Sequence, residues 1–339
     1  MQKILVTGGA GFIGSNFIYH MLDAHDDLEL VCVDVLTYAG CLSTLEPLFS
    51  NSHFRFVYGD ITDRDHMDAL FAKGHFDVVV NFAAESHVDR SIESAEAFLW
   101  TNVFGTEVLL DLCRKYGVTR FHQVSTDEVY GDLPFDSDES FSEESPLHPN
   151  NPYAATTAAA DLLCLSYFRT YGLPVTITRS SNNFGPYQFP EKLIPKTLTL
   201  ALSGEKVPVY GTGQNIRDWI HVSDHCRAID LVLQNGAVGE IYNVGGHHEV
   251  ANRELVRGIL NALDLGEEQI EYVKDRPGHD RRYALNTDKI KKDLGFSPEV
   301  KLEDGMKDTI SWYQTHRTWW EHIADGTYRE DNARRLEEQ

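Results

Sequence analysis

Three glycines near the N-terminus have the spacing of a phosphate-binding turn. Gly8, Gly11 and Gly14 follow the apolar run 4–7 and open an amphipathic helix. In such a turn the first glycine permits the tight bend, the second lets a pyrophosphate approach the backbone, and the third lets helix and strand pack closely. The N-terminus of the helix then faces the phosphates. The segment predicts a dinucleotide site, and the alternative is a purely structural glycine turn.

An acidic residue, Asp34, ends the second predicted strand. A carboxylate in this place can accept hydrogen bonds from both hydroxyls of an adenosine ribose and repels a 2′-phosphate, which favours NAD over NADP. A helix N-cap is the alternative role for this aspartate. Further cofactor contacts are expected in the glycine turn and at the ends of the following strands, from Phe12, Ile13, Thr37, Asp60, Ile61, Phe82, Ala83, Ala84, Ser86 and Val124.

Short β-rich runs that alternate with helical patterns must position these residues. The predicted strands are 3–7, 29–34, 54–58, 78–82, 120–124 and 175–178, and the longest helical patterns are 95–116 and 153–171. Such alternation predicts an α/β fold, a doubly wound parallel sheet with helices on both faces. Ligands of these sheets bind at the carboxyl ends of the strands.

The second half of the chain has a different texture. From about Asn182, glycine turns are frequent and the elements are shorter, which indicates a smaller C-terminal α/β lobe. We therefore predict an NAD-binding domain over 1–181 and a mainly substrate-binding lobe over 182–330, with the chain crossing between the two. The polar segment after about Thr327 is expected to fray.

Composition limits the partners and the compartment. A net charge of −22 argues against nucleic acid or an anionic membrane as a partner, because the long-range field repels both. A local arginine cluster can still bind a small anion, since charges are screened beyond about 8–10 Å. The five cysteines are scattered, as in a cytoplasmic protein with reduced thiols, and no motif indicates a metal. No apolar run approaches the roughly 20 residues that span a bilayer.

Longer strings are more specific than the glycine turn. Residues 84–91 (AESHVDRS), 125–131 (STDEVYG) and 182–193 (NNFGPYQFPEKL) are followed by 217–219 (RDW) and 276–280 (RPGHD). Together they closely resemble the dTDP-glucose 4,6-dehydratases of the extended short-chain dehydrogenase/reductase superfamily. The resemblance runs from residue 1 to about residue 320. It implies a Rossmann fold, NAD as cofactor and a nucleotide-sugar as substrate.

The resemblance also implies a redox-neutral reaction. The C4 hydroxyl of the sugar is oxidised with Tyr153 as base, water is lost across C5–C6, and hydride returns to C6 to give a 4-keto-6-deoxy sugar. Glu128 is then the base at C5, Asp127 the acid at the C6 hydroxyl, and Thr126 a hydrogen-bonding partner of the C4 oxygen. Adjacent residues can share one site only if the fifth strand ends irregularly, since neighbours on a regular strand point to opposite faces. Two solvated loop carboxylates are the alternative.

Substrate contacts carry over by the same resemblance. Arginine suits a diphosphate because its planar fork meets two oxygens at once. Pro208 and Tyr210 are candidates for the base pocket, with a place in the strand core equally open for Tyr210. The full set is Ser86, His87, Thr126, Asn183, Glu191, Lys192, Leu193, Pro208, Tyr210, Arg217, Asn252, Arg276 and His279.

One position departs from the pattern. The superfamily carries Tyr-x-x-x-Lys on a helix, whereas here the motif runs from Tyr153 to Thr157. Residues i and i+4 share a helix face, so Thr157 lies beneath Tyr153 and its hydroxyl can bond the nicotinamide ribose, but it supplies no positive charge. An ordinary tyrosine has a pKa near 10, so the substitution predicts impaired or altered oxidation. An introduced substitution, a natural branch and a loss of hydride chemistry with retained binding are all open.

Three functions follow from the sequence. The first is a dTDP-glucose 4,6-dehydratase, the second a related dehydratase or isomerase of a UDP-N-acetylhexosamine, and the third a dinucleotide-binding sensor without catalysis. The Asp127–Glu128 pair favours elimination over simple 4-epimerisation, which needs no such pair. In the superfamily, helices corresponding to 95–116 and 153–171 often pair across a two-fold axis, so a homodimer is expected.

Overall fold

The computed structural model describes residues 2–337. The strands are β1 (Gln2–Thr7), β2 (Leu28–Asp34), β3 (Phe54–Tyr58), β4 (Val78–Asn81), β5 (Arg120–Thr126), β6 (Val175–Ser180), β7 (Asn182–Phe184), β8 (Val207–Tyr210), β9 (Ile216–His221), β10 (Ile241–Val244), β11 (Glu249–Ala251) and β12 (Ile270–Val273). The helices are α1 (Phe12–Ala24), α2 (Leu42–Leu45), α3 (Arg64–Gly74), α4 (Val88–Glu93), α5 (Glu96–Phe98), α6 (Thr106–Tyr116), α7 (Pro152–Tyr171), α8 (Leu193–Leu202), α9 (Val222–Asn235), α10 (Asn252–Ala262), α11 (Asp288–Leu294), α12 (Leu302–Thr315), α13 (Arg317–Ala324) and α14 (Tyr328–Glu337). Over residues 2–337, none of these helices combines the length and apolarity needed to cross a bilayer.

Seven parallel strands form the main sheet, in the order β10-β6-β5-β4-β1-β2-β3. The central strands are buried on both faces, which explains their runs of valine, isoleucine and leucine. All six predicted strands are present, with ends shifted by at most two residues. The prediction of a doubly wound parallel α/β fold is therefore confirmed.

The C-terminal half adds two small sheets, β11-β9-β7 and β12-β8. A separate apolar core packs α8, α10 and α12 around Phe184 and Trp219. The chain also returns to the main sheet, because β10 pairs with β6 and α9 packs against α1. The elements of this half thus divide between the two parts of the molecule.

The two long helical patterns differ in regularity. α7 begins with Pro152 after Asn151, whose Oδ1 accepts the amide of Ala154 at 2.8 Å, and it ends at Gly172 with a φ of +71°. The predicted helix 95–116 is instead divided into α5, a π-helical segment (Leu99–Gly105) and α6. Wider turns of this kind are common at functional sites, and this one lies beside the cavity described below.

The expectation that the chain frays after Thr327 is wrong for residues 328–337, which form α14. The segment is polar and has little capacity to fold by itself. Tyr328 and Asn332 nevertheless have only 6% of their surface exposed, because they pack against the segment that follows β2. Long-range contacts, which local polarity does not reveal, order this helix.

Candidate active site

A cavity of about 480 Å³ lies at the carboxyl ends of β1, β2, β4, β5 and β6. Every residue that the sequence assigned to catalysis, cofactor or substrate lines it. The glycine turn and Asp34 lie in one part, the turn after β5 and Tyr153 in another, and residues from β8, β9 and the 276–279 loop in a third. The arrangement brings a dinucleotide turn, a phenol and two neighbouring acids to one cavity.

The glycine turn has the shape that a pyrophosphate requires. Gly8 has a φ of +69°, and a Cβ there would lie 2.5 Å from the backbone nitrogen of Ala83. A Cβ at Gly14 would lie 2.4 Å from the carbonyl oxygen of Gly8, so only glycine lets α1 approach β1 this closely. At Gly11 the closest atom to a Cβ would be 3.3 Å away, and this residue lines the cavity at the start of α1. The residues present therefore fit a dinucleotide.

The carboxylate of Asp34 is held in place by backbone amides. Its Oδ2 accepts from the amide of Ala10 at 2.9 Å and its Oδ1 from that of Leu36 at 2.8 Å. Burial raises the pKa of Asp34, and these two amides oppose the rise. The two bonds fix the carboxylate at the end of β2, between the glycine turn and the segment that follows the strand. The alternative role as a helix N-cap is wrong, because the residue belongs to β2 and α2 begins only at Leu42.

The chain after β5 is irregular, as the paired acids require. β5 ends at Thr126, and residues Asp127–Tyr130 form one turn of 3₁₀ helix. Thr126 Oγ1 accepts the amide of Glu128 at 3.3 Å and lies 3.3 Å from Asp127 Oδ1. Asn151 donates its side-chain amide to Glu128 Oε2 at 3.2 Å. The turn lets both carboxylates line the cavity from adjacent positions.

The two acids have different environments. Asp127 has 2% of its surface exposed, and among residues 2–337 its Oδ2 has no hydrogen-bond partner. Burial raises the pKa of Asp127 well above its ordinary value, and the neighbouring Glu128 and Asp218 add to the rise while Arg217 opposes it. An uncharged carboxyl group is thus favoured at Asp127, beside a hydrogen-bonded carboxylate at Glu128. Neighbouring carboxyl groups in unequal environments of this kind are able to take different roles in proton transfer.

Tyr153 lines the cavity near this turn, on the first turn of α7. Burial raises its pKa, and the neighbouring Glu128 raises it further, against hydrogen bonds with Thr126 and Thr157. Thr157 is 6% exposed and donates its hydroxyl to the carbonyl of Tyr153, in the same helix, at 3.1 Å. The structure therefore places Thr157 beneath the phenol, without a charge that would lower its pKa.

Cationic side chains gather at the other end of the cavity. The guanidinium of Arg217 is buried, lies 4.3 Å from the ring centre of Tyr283 and donates to a backbone carbonyl at 2.9 Å. Burial, with Arg276 and then Arg217 nearby, lowers the pKa of His279. Lys192 Nζ donates to the carbonyl of Ser86 at 2.6 Å. Arg217, Arg276 and Lys192 thus make a candidate anion site within a strongly acidic chain, with Asp89 Oδ1 3.3 Å from Arg276.

Tyr210 lies at the mouth of this site, with 36% of its surface exposed and its hydroxyl 3.1 Å from Asp89 Oδ2. Its ring centre is 6.2 Å from that of His279. The alternative of a strand-core role for Tyr210 is wrong. Pro208, two residues earlier on β8, also lines the cavity.

Several side chains around the cavity were missed by the sequence analysis. Tyr38 donates to Glu191 Oε1 at 3.1 Å, and the guanidinium of Arg90 lies 4.3 Å from the ring centre of Tyr38. The amide of Asn102 brackets the backbone of Glu85, accepting from its nitrogen at 2.8 Å and donating to its oxygen at 3.0 Å. Glu85 and Arg90 could have been found from the sequence, because both belong to the 84–91 string. No local pattern marks Tyr38 or Asn102.

Comparison with known proteins gives consistent results. The family model described as GDP-mannose 4,6 dehydratase matches residues 5–309. A dTDP-glucose 4,6-dehydratase of Streptomyces niveus is 51% identical over 95% of this chain and 96% of its own, and the low-salt glycan biosynthesis protein Agl12 of Haloferax volcanii is 53% identical over 92% and 98%. The crystal structure of DesIV, a dTDP-glucose 4,6-dehydratase of Streptomyces venezuelae with NAD bound, superposes with a TM-score of 0.91 at 48% identity, covering 95% of this chain and 100% of that one.

Proposed function

Because the chain belongs to the GDP-mannose 4,6-dehydratase family, and within it to the dTDP-glucose 4,6-dehydratases, we propose that it converts dTDP-glucose to dTDP-4-keto-6-deoxyglucose with NAD. The observation that carries the proposal is the turn after β5, which puts a buried Asp127 and a hydrogen-bonded Glu128 on one cavity with Tyr153. A simple 4-epimerisation needs no such pair. The glycine turn and Asp34 fit the cofactor.

When bound, NAD supplies reversible two-electron redox chemistry at C4 and C6 of the sugar. Tyr153 takes the proton of the C4 hydroxyl, and Thr126, which lines the cavity beside it, hydrogen-bonds the C4 oxygen. A phenol with a raised pKa is almost entirely protonated at neutral pH, so little of its ionised form is available as a base. Because the residues around Tyr153 leave its pKa raised, we expect this first proton transfer to be slow.

The elimination uses the two acids. A ketone at C4 acidifies the C5 proton, which Glu128 removes while Asn151 holds its Oε2. Asp127, kept protonated by burial, gives its proton to the C6 hydroxyl, which leaves as water. A double bond forms between C5 and C6, so that one proton passes to Glu128 and one leaves Asp127. When this bond is reduced at C6, Glu128 returns its proton to C5, and Asp127 regains a proton from solvent, which leaves the loss of one water as the net change. Both roles are general acid–base steps of the kind that a preorganised pair accelerates.

The anion site holds the nucleoside diphosphate. Arg217, Arg276 and Lys192 neutralise phosphate charge, and Tyr210 with Pro208 lines the base end. Arginine forks suit diphosphate oxygens because they offer paired donors in one plane. Asn183, Glu191 and Leu193 contact the hexose between these two ends. Ser86, His87 and Asn252 complete the set.

The function is tested by incubating the purified protein with NAD and dTDP-glucose and following the nucleotide-sugar by mass spectrometry. We expect a product lighter by one water. Parallel reactions with UDP-N-acetylglucosamine provide the comparison. Conversion of the UDP-sugar without conversion of dTDP-glucose would reject the substrate, and NAD binding without turnover of either would favour a dinucleotide-binding sensor.

The compartment is proposed from the thiols. All five cysteines lie among the described residues, and each is buried and takes part in no disulfide. Reduced thiols are usual in the cytoplasm. We place the enzyme there.

A homodimer is proposed from an exposed apolar face on the π-helical segment and α7. Leu99 and Trp100 are each 54% exposed and Leu162 is 57% exposed. Burying such side chains against a second copy would stabilise association by about 25 cal/mol per Å² of apolar surface. We expect the protein to elute as a dimer in gel filtration and Leu162→Glu to elute as a monomer.

The control for this prediction is Tyr272→Glu, which introduces the same charge at another exposed apolar residue, 53% exposed on β12. It should remain dimeric. Elution of the unmodified protein at a monomer's volume would contradict the assignment of this face.

A further inference from the structure

The segment that follows Asp34 contacts both the cofactor residues and the sugar residues of the cavity. Residues 35–41, here called the ribose loop, include Thr37, Ala39 and Gly40 in the cavity wall beside Asp34. Leu36, the second residue of the loop, has a φ of +55°, and its amide donates to Asp34. The backbone of this loop therefore determines where the Asp34 carboxylate is held.

The same loop reaches the substrate residues through one side chain. The hydroxyl of Tyr38 donates to Glu191 Oε1 at 3.1 Å, and its ring packs edge-on against His87 and Phe189 at centroid distances of 6.4 and 5.8 Å. A displacement of the loop would thus move a cofactor contact and a sugar contact together.

The C-terminal helix α14 holds the backbone of this loop and of the residue after it. Asn332 donates its side-chain amide to the carbonyl of Gly40 at 2.8 Å, and its Oδ1 accepts the amide of Leu42 at 2.9 Å. The hydroxyl of Tyr328 donates to the carbonyl of Tyr38 at 2.8 Å. Two side chains from the end of the sequence thus satisfy three backbone groups that lie about 290 residues earlier.

These hydrogen bonds are made by buried side chains, so they hold the backbone of the loop in one position. Asn332 and Tyr328 are each 6% exposed, and Tyr328 packs with Cys41 and Ile323 in one small apolar cluster. At the far end of the helix, Arg335 pairs with Glu46 at 2.7 Å. A ten-residue helix is marginal in isolation, so its docking onto the loop accounts for its order.

We propose that Asn332 and Tyr328 are positioning residues for the cofactor, which set the affinity for the adenosine half of NAD by fixing the ribose loop. The inference rests on the proposed function only in taking NAD as the ligand. Neither side chain lines the cavity. Asn332 and the hydroxyl of Tyr328 act through the backbone from Tyr38 to Leu42, whereas the ring of Tyr328 also packs against Phe189 of the cavity wall at 5.9 Å between ring centres, a contact that Tyr328→Phe retains. Loss of a side chain that satisfies buried backbone groups leaves those groups unpaired, which is costly in the ordered loop.

The test measures binding in the full-length protein without turnover. Calorimetry gives the dissociation constants of two ligands for the parent, Asn332→Ala and Tyr328→Phe. The ligands are NAD and ADP-ribose, which is NAD without its nicotinamide ring. We expect affinity for both ligands to fall by roughly tenfold in Asn332→Ala, which loses two bonds, and less in Tyr328→Phe, which loses one. The matched control is Arg334→Ala, an exposed residue of α14 whose ion pair is with Asp331 of the same helix.

The readouts separate positioning from general stability. The melting temperature and far-ultraviolet circular dichroism are recorded for each variant, and a chain ending at Thr327 serves as a second variant expected to lose affinity at least as strongly. At saturating NAD, kcat should return to the parent value in Asn332→Ala. Equal affinities of Asn332→Ala, the shortened chain and the parent would overturn this inference alone, whereas a parent that binds no NAD would overturn the proposed function with it.

Discussion

Asp127→Asn and Glu128→Gln should each lower the rate of dTDP-4-keto-6-deoxyglucose formation by about 10²–10⁴-fold, the usual contribution of a positioned acid or base. Each change preserves the shape of the side chain and removes only its ability to exchange a proton. The measurement is the initial rate of water loss, followed by mass spectrometry at saturating dTDP-glucose and NAD. The turn after β5 should remain folded, since the amide of Glu128 still donates to Thr126 Oγ1 and an asparagine at 127 keeps the Oδ1 that accepts from Thr126.

The two variants should fail at different steps. In deuterium oxide, Asp127→Asn retains Glu128 and should still exchange the C5 proton of the sugar, whereas Glu128→Gln should not. Matched controls are Asp136→Asn and Glu139→Gln, two exposed acids of the following loop that lie outside the cavity. Equal C5 exchange in both active-site variants would contradict the division of roles.

The same assignment gives a pH dependence with a definite sign. Asp127 acts in its protonated form, and burial beside Glu128 raises its pKa. The rate of elimination should therefore be maintained through neutral pH and fall as the pH rises through the elevated pKa of Asp127. This alkaline decline should be absent from the residual activity of Asp127→Asn, which has no proton to lose.

The parts of the site that the sequence predicted correctly are those encoded locally. Gly14 is fixed by its contact with Gly8 in the same turn, Gly8 by the φ of +69° that this turn requires, and Asp34 by the end of its own strand. The irregular end of β5 was inferred from chemistry, because two neighbouring acids can serve one substrate only if the strand stops. Local pattern and local geometry agree at these positions.

The parts that were missed depend on contacts distant in sequence. A π-helical turn places the side-chain amide of Asn102 against the backbone of Glu85. No hydrophobic periodicity in the sequence predicts that turn. α14 was expected to fray because its residues are polar, yet Asn332 is ordered by Gly40 and Leu42. Side chain to backbone bonds of this kind leave no trace in composition or hydrophobic spacing.

Thr157→Lys should increase the rate of C4 oxidation, and with it product formation, by roughly tenfold or more. The pKa of Tyr153 is raised by burial and by Glu128, and the hydroxyl of Thr157 is engaged with a carbonyl of its own helix. An ammonium group four residues along α7 would lie on the same face as the phenol and favour its ionised form. Each tenfold increase in the ionised fraction corresponds to about 1.4 kcal/mol.

The decisive comparison is with Thr157→Met, which adds an unbranched chain of similar reach without a charge. Thr157 and Ala160 both line the cavity, so a longer side chain has space on that side. With lysine, the pH above which C4 oxidation reaches its full rate should move downward, because the base becomes available at lower pH; with methionine it should not move. A rate for Thr157→Lys no higher than that of Thr157→Met would show that Tyr153 gains its basicity from another source, because charge at this position would then have no effect on the phenol.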